Sequence, residues 1–150
     1  MDILAKCKID AQETIIMKDL QKLFKKDRFA EYVGIELSEV APGKAKVCLK
    51  IREEHLNGVD LVHGGTIFTL ADFAFAVASN SHGTIALGIN ANISYLKAAR
   101  GGVLTAEAVE VAKNPKLATY RVDITDEEGE LIAVFQGTVY RKKDKLADLP

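Results

Sequence analysis

Cysteine is scarce in this chain of 150 residues: Cys7 and Cys48 lie far apart and form no CxxC pair. They read as small buried or surface thiols rather than ligands, and a reducing, cytoplasmic compartment is expected. Charge of one sign is missing too. Twenty basic and twenty-one acidic side chains leave a formal net charge of −1, which offers no basic footprint for a nucleic-acid partner. Long apolar runs are also lacking. The start, MDILAKCKIDAQ, is broken by Asp2, Lys6, Lys8 and Asp10, so no secretory signal is expected. The longest stretch without Asp, Glu, Lys or Arg, Phe73 to Leu96, is interrupted by SNSHGT, Asn90 and Asn92, polar groups that hydrocarbon does not tolerate. No membrane span or membrane partner is expected.

What is present is an ordinary globular balance, 48% apolar and 27% charged residues, in a length that makes one core and buries about two-thirds of the unfolded surface. Ile15, Ile16, Leu20, Leu23, Phe24, Ala30 and Val33 recur in a helical rhythm, predicting one or two amphipathic helices over residues 11 to 33. From Gly34 the pattern changes. Alternation on both sides of Pro42-Gly43 predicts a β-hairpin ending near Ile51. TIFTLADFAFAVASNS is long enough for four helical turns and apolar nearly all round, which predicts a buried helix. Strands are expected over Ile85–Leu96, Val103–Ala112, Leu117–Thr125 and Leu131–Arg141, separated by the turn signals Arg100-Gly101-Gly102, Asn114-Pro115 and Glu127-Glu128-Gly129. The order predicts an α+β domain, an antiparallel sheet curled around one central helix.

Asp72 does not fit that picture, being the only formally charged side chain between Gly64 and Ser81. A carboxylate inside a buried helix survives when it is paired, when it reaches a polar cleft, or when its altered proton affinity is useful. A polar anchor at an oligomer interface is the plainer alternative. His63-Gly64-Gly65 is the second oddity. Two glycines at a helix start expose main-chain N–H groups at the positive end of the helix dipole, suited to an anion or a developing oxyanion. A tight turn requiring glycine produces the same residues, and His63 reads equally as a structural group. Asn57-Gly58 is either a turn or an amide presented to the same cleft. Nothing near His63 completes a metal set.

Together these residues resemble a family. The string HLNGVDLVHGGTIFTLADFAFAVASNS, His55 to Ser81, is similar to the signature of the PaaI-type hotdog-fold acyl-CoA thioesterases, and the resemblance runs from about Phe29 to Arg141. It implies a hotdog domain over residues 29–150 behind an N-terminal helical extension over 1–28. It also implies hydrolysis of acyl-CoA thioesters to free acid and CoA, without a metal or other cofactor, by a homo-oligomer that is at least a dimer and most often a tetramer. By the same resemblance Asp72 is the catalytic carboxylate, as nucleophile or general base, and the Gly64 N–H polarises the thioester carbonyl. Asn57 and His63 orient water, substrate or the loop, with Gly65 and Asn90 on the substrate-binding side. Where some relatives carry a Ser or Thr hydroxyl, this chain has Gly88; Asn90 substitutes only if its strand points it at the cleft.

The chemistry agrees with these assignments. A thioester carbonyl needs a donor for its oxygen and a base or nucleophile for its carbon, and thiolate leaves without metal assistance. Gly64 and Asp72 lie eight residues apart, about 12 Å along one helix, so a single carbonyl touches both only if each comes from a different subunit. A non-catalytic acyl-CoA sensor or carrier, a hydratase or dehydratase on the same fold, and a purely structural oligomer are the rival readings. Lys97, Arg100 and Lys113 are the candidates for contacts with the CoA phosphates.

Overall fold

The computed structural model describes residues 11–150; Cys7 and the start of the N-terminal extension lie outside them. Two helices come first, α1 (Ala11–Phe24) and α2 (Arg28–Val33). Asp27 caps α2, its Oδ1 accepting from Ala30 N at 2.9 Å, and Gly34 ends it at φ 95°, a left-handed conformation that glycine adopts without a Cβ penalty. The hairpin follows as β1 (Glu36–Ala41) and β2 (Lys44–Lys50). A single 3-10 turn, Glu53–His55, and an irregular loop lead into α3 (Gly64–Asn80). The rest is β3 (Thr84–Tyr95), β4 (Val103–Lys113), β5 (Leu117–Thr125) and β6 (Leu131–Lys145), with a closing 3-10 turn at Leu146–Asp148.

The six strands form one antiparallel sheet in the order β1-β2-β4-β5-β6-β3. Its inner face supplies Val47, Leu104, Tyr120, Val122, Phe135 and Val139 to the core, and α3 fills the curl with Leu70, Ala71, Ala74, Val77 and Ala78, all nearly solvent-free. The small residues of α3 let its backbone lie close to the sheet. Phe75 is buried among Tyr120 and Phe135, with ring centroids 5.9 and 5.4 Å away. It is accommodated because β6 carries Gly137 beneath it, where a Cβ would stand 2.7 Å from the ring. The N-terminal extension shares this core: Met17 and Leu20 are buried, and Phe24 meets Phe73 edge-on at 5.4 Å.

The C-terminal end of α3 is closed by side chains. Asn80 Nδ2 donates to Ala76 O and Ala86 O, and its Oδ1 accepts from Ala86 N. Ser81 Oγ accepts from Gly43 N and donates to Ala78 O. Next to it, Glu110 accepts from the buried Tyr120 hydroxyl at 2.8 Å and meets His82 at 2.9 Å. Burial acts to raise the Glu110 carboxyl, but these two hydrogen bonds together with the charges of His82 and Lys113 outweigh it and hold the group below its ordinary value. Burial and the same bond push the Tyr120 phenol well above its own.

The predicted order of elements is the observed one, with helix and strand ends displaced by a few residues where turns give no sharp signal. Among the described residues, no helix is long and apolar enough to cross a membrane.

Candidate active site

The N-terminal end of α3 is built from the loop that precedes it. His55 is buried, and both ring nitrogens are engaged: Nδ1 accepts from Arg52 N at 2.9 Å, which makes Nε2 the donor to Val33 O at 2.7 Å. Its backbone carbonyl accepts from His63 N and from the Thr66 hydroxyl. His55 thus ties α2, the loop and α3 together. Sequence reasoning quoted it as the first letter of the signature and gave it no role; its burial comes from tertiary packing.

Asn57 turns its amide oxygen into its own loop, accepting from Val59 N at 3.0 Å and Leu61 N at 3.1 Å. Its NH2 group keeps no partner among the described hydrogen bonds and stays available to solvent or ligand. The loop also holds Asp60 at φ 58°, a conformation disfavoured for a side chain with a Cβ. His63 is the helix N-cap, with Nδ1 accepting from Gly65 N at 2.8 Å. That bond uses the Gly65 N–H and leaves the Gly64 N–H without a partner among the described residues, one of the free donors with which every helix begins. The Gly64 carbonyl is held instead, accepting from the Tyr95 hydroxyl at 3.0 Å. A Cβ on Gly64 would stand 3.2 Å from that phenol, so glycine here lets β3 close on the helix start. Tyr95 gave no sequence signal beyond its place at a strand end.

Asp72 corrects the expectation of burial: in the single chain it is exposed, on a strip of α3 that the sheet leaves uncovered. The protein mass on either side still desolvates its carboxyl and raises its pKa, with the nearby charge of Asp27 adding to the effect. Asp27 belongs to the α1–α2 junction, so the N-terminal extension reaches the candidate carboxylate. The sequence marks Asp27 as a helix cap but gives no sign of its nearness to Asp72.

β3 runs along α3 in the opposite direction: Tyr95 meets Gly64, Gly88 meets Phe75 and Ala86 meets Asn80. Gly88 lies on the inner face, where a Cβ would come 3.2 Å from the Phe75 ring. The register then shifts between Gly88 and Asn90. Asn90 pairs with Thr138, which bonds Thr119 across the outer face, so the strand presents Asn90 away from α3. The structure therefore brings together Gly64, Gly65, His63 and Asn57 at one end of α3, holds Asp72 two turns along it, and leaves Asn90 on the other side of the sheet.

β3 is an edge strand, bonded to β6 alone within the sheet. It exposes Leu87 at 54% and Ile89 at 60%, with Leu96 at 58% just past its end, beside the unpaired backbone groups of a sheet edge. Among the described residues no cluster of His, Cys, Asp and Glu could hold a metal ion.

Residues 60–133 match the model of the thioesterase superfamily. A protein of Archaeoglobus fulgidus, named provisionally as an esterase, is 42% identical over 90% of this chain and 88% of its own length. The acyl-coenzyme A thioesterase PaaI of Escherichia coli is 32% identical over 79% of this chain and 86% of its own. The solved structure of the E. coli PaaI protein superposes with a TM-score of 0.83 at 29% identity, covering 87% of this chain and 95% of that one. In its six-stranded curled sheet, its central helix and its sequence, the chain belongs to the thioesterase superfamily, with the hotdog fold of the PaaI-like proteins.

Proposed function

We propose that this protein hydrolyses acyl-CoA thioesters to free acid and CoA in sites shared between two chains. Each site combines the Gly64 N–H of one chain with Asp72 of the other. One observation carries the reading: α3 leaves a donor without a partner among the described residues at its N-terminus, while its one carboxylate, exposed in the single chain, lies about 12 Å away along the same helix. Pairing two copies along β3 covers its edge and allows the Gly64 end of one α3 to face Asp72 of the other.

The thioester oxygen would accept from the Gly64 N–H, helped by the positive end of α3. Asp72 would take a proton from water as the water oxygen bonds to the carbonyl carbon; the tetrahedral adduct then expels thiolate. If Asp72 is the nucleophile, its oxygen forms that bond, the adduct expels thiolate to leave an anhydride, and water opens the anhydride to free acid and carboxylate. A raised proton affinity makes Asp72 a better base than an ordinary surface aspartate. Asn57 would direct its free NH2 group toward water or substrate, and His63 would fix the helix start through its bond to Gly65. The inner face next to Phe75 offers no hydroxyl at Gly88, and outward-facing Asn90 does not replace one. A single turnover in heavy-oxygen water tests the general base: first-turnover product lacking solvent oxygen rules it out, whereas labelled product fits both a general base and an anhydride opened at its acyl carbon.

The test of the shared site is complementation. Asp72→Ala and Gly64→Pro are made separately, proline because it deletes the N–H while being tolerated at the first helical position. Each pure protein is expected to release almost no thiol from a panel of aryl- and alkyl-CoA substrates. Refolding an equal mixture gives about half mixed dimers, each with one intact site, and activity returns to about a quarter of wild type. Confirmed mixed dimers as inactive as their parents would show that Gly64 and Asp72 do not share a thioester.

A further inference from the structure

Apolar side chains stand in solvent at two places beside the candidate site. Phe29 and Tyr32, three residues apart and therefore on one face of α2, are 62% and 79% exposed, and Val59, in the loop before α3, is 70% exposed. Each place also carries an exposed charge, Arg28 next to Phe29 and Asp60 next to Val59. Neither charge has an ion-pair partner among the described residues. Both segments are held in place. The last carbonyls of α2, those of Tyr32 and Val33, accept from the Arg52 guanidinium at 3.2 and 3.1 Å. The loop closes on itself, with Asn57 N donating to Leu61 O at 2.7 Å, Asp60 N to Asn57 O at 3.1 Å, and Leu56 bridged to Val62.

α2 lies along α3 in the opposite direction. Its head follows Phe24, which touches Phe73, and its tail bonds His55, whose carbonyl accepts from His63 N and the Thr66 hydroxyl. The head of α2 thus stands by Asp72 and the tail by the start of α3. A two-fold pair that sets Gly64 of one chain against Asp72 of the other also makes the two α3 helices antiparallel. Val59 and Asp60 precede Gly64 by five and four residues, a reach of about 13–18 Å when extended. The partner's loop then arrives at the head of α2.

We propose that α2 of each chain seats the partner's Asn57–Asp60 loop, with Arg28 paired to the partner's Asp60 and the aromatic face covering the partner's Val59. The proposal rests on the reading of the site as shared between two chains. An aromatic face opposite an exposed valine, each flanked by a charge of opposite sign, is complementary in polarity and in charge. Symmetry makes the contact twice. Asn57 and the Gly64 N–H ride on the loop so held, and α2 therefore positions them for the Asp72 carboxylate of its own chain. An exposed ion pair contributes little affinity of its own but fixes orientation.

Two double-mutant cycles test the contact, one by charge, Arg28→Glu with Asp60→Lys, and one by size, Phe29→Ala with Val59→Ala. Sedimentation of the full chain reads self-association. Each single charge reversal is expected to weaken it about tenfold, because the pair occurs twice, and the double reversal to restore the wild-type value. The two alanines together should cost less than the sum of the singles. Activity adds a reading that a merely structural role would not move. In confirmed mixed dimers of Asp72→Ala and Gly64→Pro chains, the intact site takes its Asp72 from the Gly64→Pro chain. Phe29→Ala on that chain is expected to lower kcat at least about fivefold, and on the other chain to leave it unchanged. Charge reversals that simply add, in variants that melt like wild type, would overturn the proposal. A wild-type chain that sediments as a monomer would do the same, as would a Phe29→Ala protein of wild-type self-association whose kcat/KM shifts only between aryl- and alkyl-CoA substrates, the mark of an acyl pocket. A wild-type protein that releases no thiol from any acyl-CoA sinks the function reading alone; the association cycles still decide the contact in that case.

Discussion

The two ends of α3 are finished in opposite ways. At the C-terminal end Asn80 and Ser81 are buried, and their side chains bond neighbouring backbone from β3, the hairpin turn and the helix itself. At the N-terminal end the capping His63 takes the Gly65 N–H, Tyr95 takes the Gly64 carbonyl, and the Gly64 N–H has no partner among the described residues. A helix whose only task was to fill the sheet would gain by closing both ends. One end anchors and the other keeps a donor in reserve, with Asp72 between them.

Substitutions can break this contrast in both directions. The largest effect is expected from Asp72→Asn, which removes the proposed base or nucleophile and should lower kcat by at least about a hundredfold. Its stability should match or slightly exceed wild type at neutral pH. The sign follows from the raised pKa: a folded state that favours the protonated carboxyl is penalised when pH passes above the unfolded value, and asparagine removes that penalty. Thermal melts at pH 7 beside thiol-release assays check both halves; a variant that melts much earlier yet turns over normally per folded chain would make Asp72 an anchor.

The converse holds at the other end, where Asn80→Ala strips partners from Ala86 N, Ala86 O and Ala76 O. A loss of about 3 kcal/mol is expected, read as a melting temperature about 6–12 °C lower, with kcat per folded chain unchanged. Loss of turnover without loss of stability would show that the two ends are not separate in function.

Gly137→Ala probes the middle of the helix, forcing the Phe75 ring from its place between Tyr120 and Phe135 at a cost of about 1–3 kcal/mol. Phe75→Leu in the same chain should recover part of it in denaturant titrations. The smallest effect is that of Asp27→Asn, which keeps a capping side chain on α2 but removes a charge that raises Asp72. The acid limb of the pH–rate profile should move to lower pH. A limb that stays in place would free Asp72 from any influence of the N-terminal extension.

The sequence disclosed the elements readily because alternation in the strands and the small-residue run in α3 are local patterns. The residues of the open end were legible as well, since glycine pairs and a lone carboxylate break those patterns. Asp72 was expected inside the core because counting apolar neighbours along a helix ignores which strip the sheet covers. Asn90 shows a second limit. A register shift between Gly88 and Asn90 sets the face on which it points, and the alternation of GINANIS carries no mark of a bulge. His55 and Tyr95 were passed over because their roles come from backbone groups distant in sequence, Val33 and Gly64. Asp27 was legible as a cap and illegible as a neighbour.

The unpaired edge of β3 also bears on gene dosage. If each site is assembled from two chains, as proposed, output at low expression would grow with the square of chain concentration until the pairs saturate. On that proposal, in a cell carrying wild-type and Asp72→Ala copies in equal amounts, every mixed pair would keep one working site. The damaged allele would then subtract its own share of activity without poisoning the product of the other.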